Sequence, residues 1–208
     1  MGNRTIDYYE KNAVDLVSRY ENADVSELHS RLLTTFRPGS SLLEVGCGTG
    51  REASFLLKNG YDIECIEASK QMINLAEKLH PELQGRLIKG EVPGCLESMN
   101  KKYDGIYAIA TLMHLPLEDI ATVLDGFYNR LVKSGRILIS VPLSRPDLET
   151  SGYDSKGRYF LLLTEEAWCD LIYSAGFSKI ETSLTDDGMG RNSVKWLNCV
   201  AFKTLNRA

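Results

Sequence analysis

The chain has 208 residues, of which 43% are hydrophobic and 25% charged, with a net charge of -4. This is length for one sizeable core in one domain, with an ordinary globular composition. The acid excess gives no reason to expect nucleic acid as a general partner, and no apolar run approaches the ~20 residues of a membrane span.

In chain order, Ile6, Tyr9, Ala13, Val17 and Tyr20 fall at helical spacing. A second short helix carries Leu28, Leu32 and Phe36 and ends at Pro38-Gly39. The apolar run Ser41 to Val45 reads as a strand leading into a glycine turn. Arg51 to Asn59 is then helical and stops at Gly60. Asp62 to Glu67 reads as a second strand. Ser69 offers an N-cap to a helix whose Met72, Ile73, Ala76 and Leu79 share one face. Arg86 to Lys89 and Tyr103 to Ile109 are the third and fourth strands. An amphipathic helix through Ile120, Val123, Leu124, Phe127 and Leu131 stops near Gly135, and Arg136 to Val141 is the fifth strand. Its continuous apolar character suits a parallel sheet covered on both faces.

Residues 142–160 are polar and turn-rich. A helix from Thr164 ends at Gly176, and two last strands, near Ile180 to Leu184 and Trp196 to Lys203, flank the turn DDGMGRNS. That spacing predicts an antiparallel pair. The alternation before it predicts an open parallel sheet with helices on both faces, and ligands in such sheets bind beyond the carboxyl ends of the strands. The five cysteines, Cys47, Cys65, Cys95, Cys169 and Cys199, form no C-x-x-C pair. They read as reduced thiols of a cytoplasmic protein with no metal site, and the amino terminus carries no apolar core of a secretory signal.

The turn LLEVGCGTGR, residues 42–51, therefore faces the expected ligand crevice. A dinucleotide fingerprint starting at Gly46 needs its third glycine at position 51, which is Arg51. A P-loop needs a Lys-Ser or Lys-Thr after the glycines, and none follows. The pattern present is Glu44-x-Gly46-x-Gly48-x-Gly50. It resembles motif I of the class I S-adenosylmethionine-dependent methyltransferases, and the resemblance extends roughly from Tyr8 to Lys203.

The resemblance implies a three-layer, Rossmann-like α/β sandwich whose seven-stranded sheet is mostly parallel with an antiparallel final strand. It implies S-adenosylmethionine as cofactor, held by Glu44, Gly46, Cys47, Gly48, Gly50 and Arg51 around the turn. Glu67 and Ala68, at the end of the second strand, would meet the ribose, and Met72 the adenine. Glu91 and Val92, after the third strand, would also meet the adenine, Ala108 and Ile109 the methionine portion, and Tyr20 would cover the site. One domain over 1–208 is expected, with a helical lid (1–37), a cofactor-binding half (40–141) and an acceptor-side half (142–208).

Methyl transfer needs a base only when the acceptor must lose a proton. His114, after the fourth strand, is the candidate. The segment Ile109-Ala110-Thr111-Leu112 lacks the prolines of DNA amino-methyltransferases. Residues 111–118 hold only one glutamate, Glu118, where protein arginine methyltransferases use two. A small molecule methylated at oxygen or nitrogen is the expected partner, without nucleic acid or membrane. Tyr9, Arg145, Arg158 and Arg191 are the candidate acceptor residues, and arginines that converge would suit an anion. Two alternatives remain: a non-catalytic binder of S-adenosylmethionine or S-adenosylhomocysteine, and a nucleotide-cofactor oxidoreductase.

Overall fold

The apolar runs become strands of one sheet. A computed structural model describes residues 3–191 and 193–204, so the ends of the expected 1–208 domain lie outside the described residues. The elements are α1 (Asn3–Glu21), α2 (Ser26–Thr35), β1 (Ser41–Val45), α3 (Arg51–Lys58), β2 (Asp62–Glu67), α4 (Lys70–Leu79), β3 (Leu87–Lys89), α5 (Gly94–Ser98), β4 (Tyr103–Ile109), α6 (Leu117–Arg130), β5 (Leu131–Pro142), α7 (Glu165–Ser174), β6 (Phe177–Asp186) and β7 (Lys195–Lys203).

The strand order is β3-β2-β1-β4-β5-β7-β6. Strands β1 to β5 pair in parallel, and β7 runs antiparallel between β5 and β6. The order reverses between β1 and β4. Chain leaving their carboxyl ends there diverges to opposite faces and opens a crevice. In β1 every residue from Leu42 to Val45 is buried, as a central strand covered on both faces requires.

Helices cover both faces. On one, Ile120, Val123, Leu124 and Phe127 of α6 and Trp168 and Ile172 of α7 pack on the sheet. On the other, Leu32 of α2 and Ala53 and Leu56 of α3 pack against Leu42, Ile63 and Leu138. Ser69 caps α4 by accepting from the Met72 amide at 3.1 Å, and Thr164 caps α7 through the Ala167 amide at 3.2 Å. These hydroxyls satisfy amides that the first helical turn leaves without partners.

The first helix belongs to neither layer. Ala13 and Leu16 pack on Met72 of α4, with Tyr8, Tyr9 and Tyr20 beside them. It therefore lies over the carboxyl ends of the strands. Two elements depart from the sequence expectation. The one-turn α5 was not expected, because five residues carry no periodic signal. Strand β5 begins at Leu131, before Gly135, since Leu131 already pairs with Tyr103 across an irregular register.

Candidate active site

The glycine turn is shaped by what surrounds it. Gly46 has φ 76°, and a Cβ there would lie 2.3 Å from Thr111 Oγ1. Only glycine lets the chain leaving β1 pass so close to the chain leaving β4. Gly48 has φ 54°, and a Cβ there would meet nothing within 4 Å. Its backbone faces open space, the cradle a ligand needs. The turn, the ends of β2 and β4 and the inner side of α1 enclose a cleft of about 1320 Å³, counting its solvent-open mouth.

Acidic side chains form the floor. Glu44 is 1% exposed. It stands in register with Tyr107, whose hydroxyl donates to it at 3.0 Å. Burial, with the neighbouring Glu52 carboxylate, raises its pKa well above the ordinary value. Glu67 accepts from the Gly48 amide at 2.9 Å through Oε2 and from the Ser69 amide at 2.9 Å through Oε1. Burial raises its pKa too, outweighing the amides, which favour the charged form. Backbone amides thus hold the Glu67 carboxylate, whose two oxygens have about four acceptor sites between them.

Arg51 reaches across the turn. Its Nη1 donates to the Tyr20 carbonyl and its Nε to Glu52 at 2.7 Å. It thereby ties the end of α1 to the turn. Thr49 adds a 2.5 Å bond to Glu21. Apolar Ile66, Met72 and Val92 line one wall, with the exposed Glu91 at its rim.

His114 is 1% exposed. Its Nδ1 lies 2.6 Å from the Tyr159 carbonyl and its Nε2 3.0 Å from the Tyr9 hydroxyl. A carbonyl only accepts, so Nδ1 carries the proton and Nε2 the lone pair. Burial is the main cause that lowers the His114 pKa to about 4, so the ring is neutral at physiological pH.

Of the expected site residues, Tyr9, Tyr20, Glu44, Gly46, Cys47, Gly48, Arg51, Glu67, Ala68, Met72, Glu91, Val92, Ile109, His114, Arg145, Arg158 and Arg191 all line the cleft. Two do not. Ala108 is fully buried among the residues packed under α6, because alternation along β4 turns it into the core. Gly50 sits just before α3, and its α-carbon faces Leu83 and Ala76. Lys195, at the start of β7, pairs with Asp186 at the surface. The cleft also uses Thr49, Ser69, Ala110, Thr111, Met113, Phe160, Met189 and Trp196. Phe160, in a loop, and Met113, in the single helical turn Leu112–His114, are apolar residues that carried no signal. Ala110 has φ 55°, a left-handed conformation that its sequence does not announce.

A family model described as a methyltransferase domain matches residues 17–182. The chain belongs to the class I S-adenosylmethionine-dependent methyltransferases. Among relatives of this methyltransferase, a probable cobalt-precorrin-6B C(15)-methyltransferase (decarboxylating) of Saccharolobus solfataricus is 33% identical over 114 residues, covering 51% of this chain and 55% of the relative. The phosphoethanolamine N-methyltransferase of Triticum aestivum is 26% identical over 154 residues, covering 71% of this chain and 30% of the relative. The methyltransferase thus spans about half the length of the first relative and under a third of the second. A solved structure, the Burkholderia thailandensis 1,6-didemethyltoxoflavin-N1-methyltransferase with S-adenosylhomocysteine, superposes with a TM-score of 0.74 at 19% identity, covering 97% of this chain and 88% of that one.

The cleft of the methyltransferase fits the family's cofactor by its own chemistry. S-adenosylmethionine brings an ammonium, a sulfonium, two vicinal hydroxyls and a flat base. The buried Glu44 carboxylate suits a cation, Glu67 has lone pairs to accept from hydroxyls, and the Ile66, Met72 and Val92 wall suits a base.

Proposed function

We propose that this methyltransferase moves the methyl group of S-adenosylmethionine to an oxygen or nitrogen of a small molecule. The observation that carries the reading is a cleft with an acidic floor at the β1/β4 switch point, roofed by α1 and holding a neutral His114 with its Nε2 lone pair inward. When bound, S-adenosylmethionine supplies a methyl group activated on a sulfonium, so the protein need only align the acceptor and exclude water.

Glu67 would accept both ribose hydroxyls, Glu44 would face the ammonium, and Met72, Val92 and Glu91 would flank the adenine. The open face at Gly48 lets the ligand meet the backbone. Tyr9 and Tyr20 on α1 close the cleft from above, and the described part of the 142–208 half forms the acceptor side. His114 Nε2 takes the proton that an acceptor hydroxyl or amine must lose. Until the acceptor arrives, the Tyr9 hydroxyl satisfies that lone pair at 3.0 Å. The five free thiols suit the cytoplasm as the working compartment. Among the described residues no helix is long and apolar enough to cross a membrane.

The test is formation of S-adenosylhomocysteine with a panel of small amines, acids and alcohols. His114→Asn keeps a donor for the Tyr159 carbonyl but loses the Nε2 lone pair, so kcat should fall by about 100-fold or more. Undiminished kcat would remove His114 from proton transfer. Cofactor binding without turnover of any acceptor would favour the non-catalytic reading.

A further inference from the structure

Three arginines reach the acceptor side of the cleft, and each is held by an aspartate. Arg145 donates through Nε and Nη2 to Asp147 at 2.8 and 2.6 Å. Arg158 donates through the same two atoms to one oxygen, Oδ2, of Asp154 at 2.8 and 2.6 Å. Arg191 does so to Asp187 at 3.0 and 2.6 Å. A guanidinium has five N–H groups in one plane. Spending one edge on an aspartate fixes that plane and leaves the Nη1–Nη2 fork.

These are not solvated surface charges. The side chains of Arg145 and Arg158 are 6% and 11% exposed, and that of Arg191 is 29% exposed. Arg145 and Arg158 approach one ring, Phe160, at 4.0 and 5.2 Å. Asp154 serves both, 2.6 Å from Arg158 and 3.8 Å from Arg145. The aspartates offset the repulsion between the cations. Burial and the aspartates have already stripped and oriented the guanidinium groups, so an incoming anion meets fixed donors in a place of low dielectric. The subsite adjoins the reacting place, because Arg158 lies beside the Tyr9 hydroxyl that contacts His114.

We propose that the methyl acceptor carries a carboxylate or phosphate group, gripped by the remaining N–H groups of Arg145, Arg158 and Arg191, with its oxygen or nitrogen nucleophile directed to His114. This rests on the methyltransferase reading and names the class of its second substrate. Phe160, which Arg145 and Arg158 approach, lies 4.6 Å from the His114 ring, so an anion held by the arginines has its nucleophile close to the proton-accepting nitrogen.

The experiment is a calorimetric titration of the full chain saturated with S-adenosylhomocysteine. Inorganic phosphate and acetate are added separately at constant ionic strength, balanced with chloride. Saturable binding of one or both is expected, and the stronger of the two names the group. In Arg158→Gln and Arg191→Gln the affinity should fall about tenfold or more, the loss of a charged hydrogen bond. Arg191→Lys, which keeps the charge without the fork, should fall between. Affinity for S-adenosylhomocysteine should hold in all three variants, which also shows that they fold. Neither anion saturating on protein that binds S-adenosylhomocysteine would overturn the proposal, as would equal anion affinity in wild type and both glutamine variants. Failure of wild type to bind S-adenosylhomocysteine would instead bring down the methyltransferase reading, and the proposal with it.

Discussion

At the scale of single residues, Gly46 shows how a sequence pattern becomes a physical demand. A methyl group there would sit at φ 76° and 2.3 to 2.9 Å from three atoms of Thr111. Left-handed strain and overlap act together, so Gly46→Ala should destabilise the fold by more than about 1 kcal/mol in urea titration. A loss within error would mean that the two chains leaving β1 and β4 can separate freely. His114 gives a second prediction, in pH. Its pKa of about 4 lies below the unfolded value of about 6.5. The unfolded chain therefore binds more protons between these values. The contribution of the neutral ring is fully present above pH 6.5 and is lost as pH falls through about 4. Glu44 and Glu67, with pKa values raised mainly by burial, act in the opposite sense. The difference between wild type and His114→Asn isolates the histidine. The wild type should lose stability relative to the variant, by on the order of 3 kcal/mol in all, as pH falls through this window. A pH-independent difference would place the His114 pKa near its ordinary value. Gly46, Gly48 and Glu67 were legible because their chemistry forces their spacing. Ala110 and Phe160 were not, since nothing local distinguishes an alanine with positive φ or a phenylalanine that two guanidinium groups approach.

At the scale of elements, α1 is the piece with its own behaviour. The two main cores contain no residue of α1. The helix is held by a small cluster of Ala13, Leu16 and Met72 and by polar bonds: Tyr159 amide to Thr5 at 2.9 Å, Ser69 hydroxyl to Glu10 at 2.6 Å and Thr49 hydroxyl to Glu21 at 2.5 Å. Few apolar contacts and bonds to partners around the cleft mark a segment of low local stability. Hydrogen exchange of α1 amides should be faster than that of β1 and β4, and should slow when S-adenosylhomocysteine binds. Equal protection with and without ligand would show that α1 is fixed scaffold and no lid. The helical periodicity of α1 was plain in the sequence, but its position was not. An amphipathic stripe states that one face is covered without stating by what.

At the scale of the whole molecule, alternating strand and helix patterns implied the parallel sheet. The closing β6 and β7 pair followed from the short polar turn between them. The convergence of Arg145, Arg158 and Arg191 was only conditional in the sequence, because 46 positions separate the first from the last. Loop 142–160 and the β6–β7 turn had to fold back to the same edge before those charges shared a cleft. Lys195 has the same charge and a similar position, yet faces away with Asp186.

The most direct measurement is calorimetric titration with S-adenosylmethionine and S-adenosylhomocysteine on wild type, Glu67→Gln and Glu67→Ala. Both ligands should bind wild type at a single site. Glu67→Ala removes the acceptor of two hydroxyls, so affinity should fall by about 100-fold or more, and Glu67→Gln should lie between. Glu67→Gln guards against loss of the turn itself, since its amide oxygen can still accept from a backbone N–H. Unchanged affinity in folded Glu67 variants would place the cofactor elsewhere. Wild type that ignores both ligands and binds a nicotinamide dinucleotide would contradict the account.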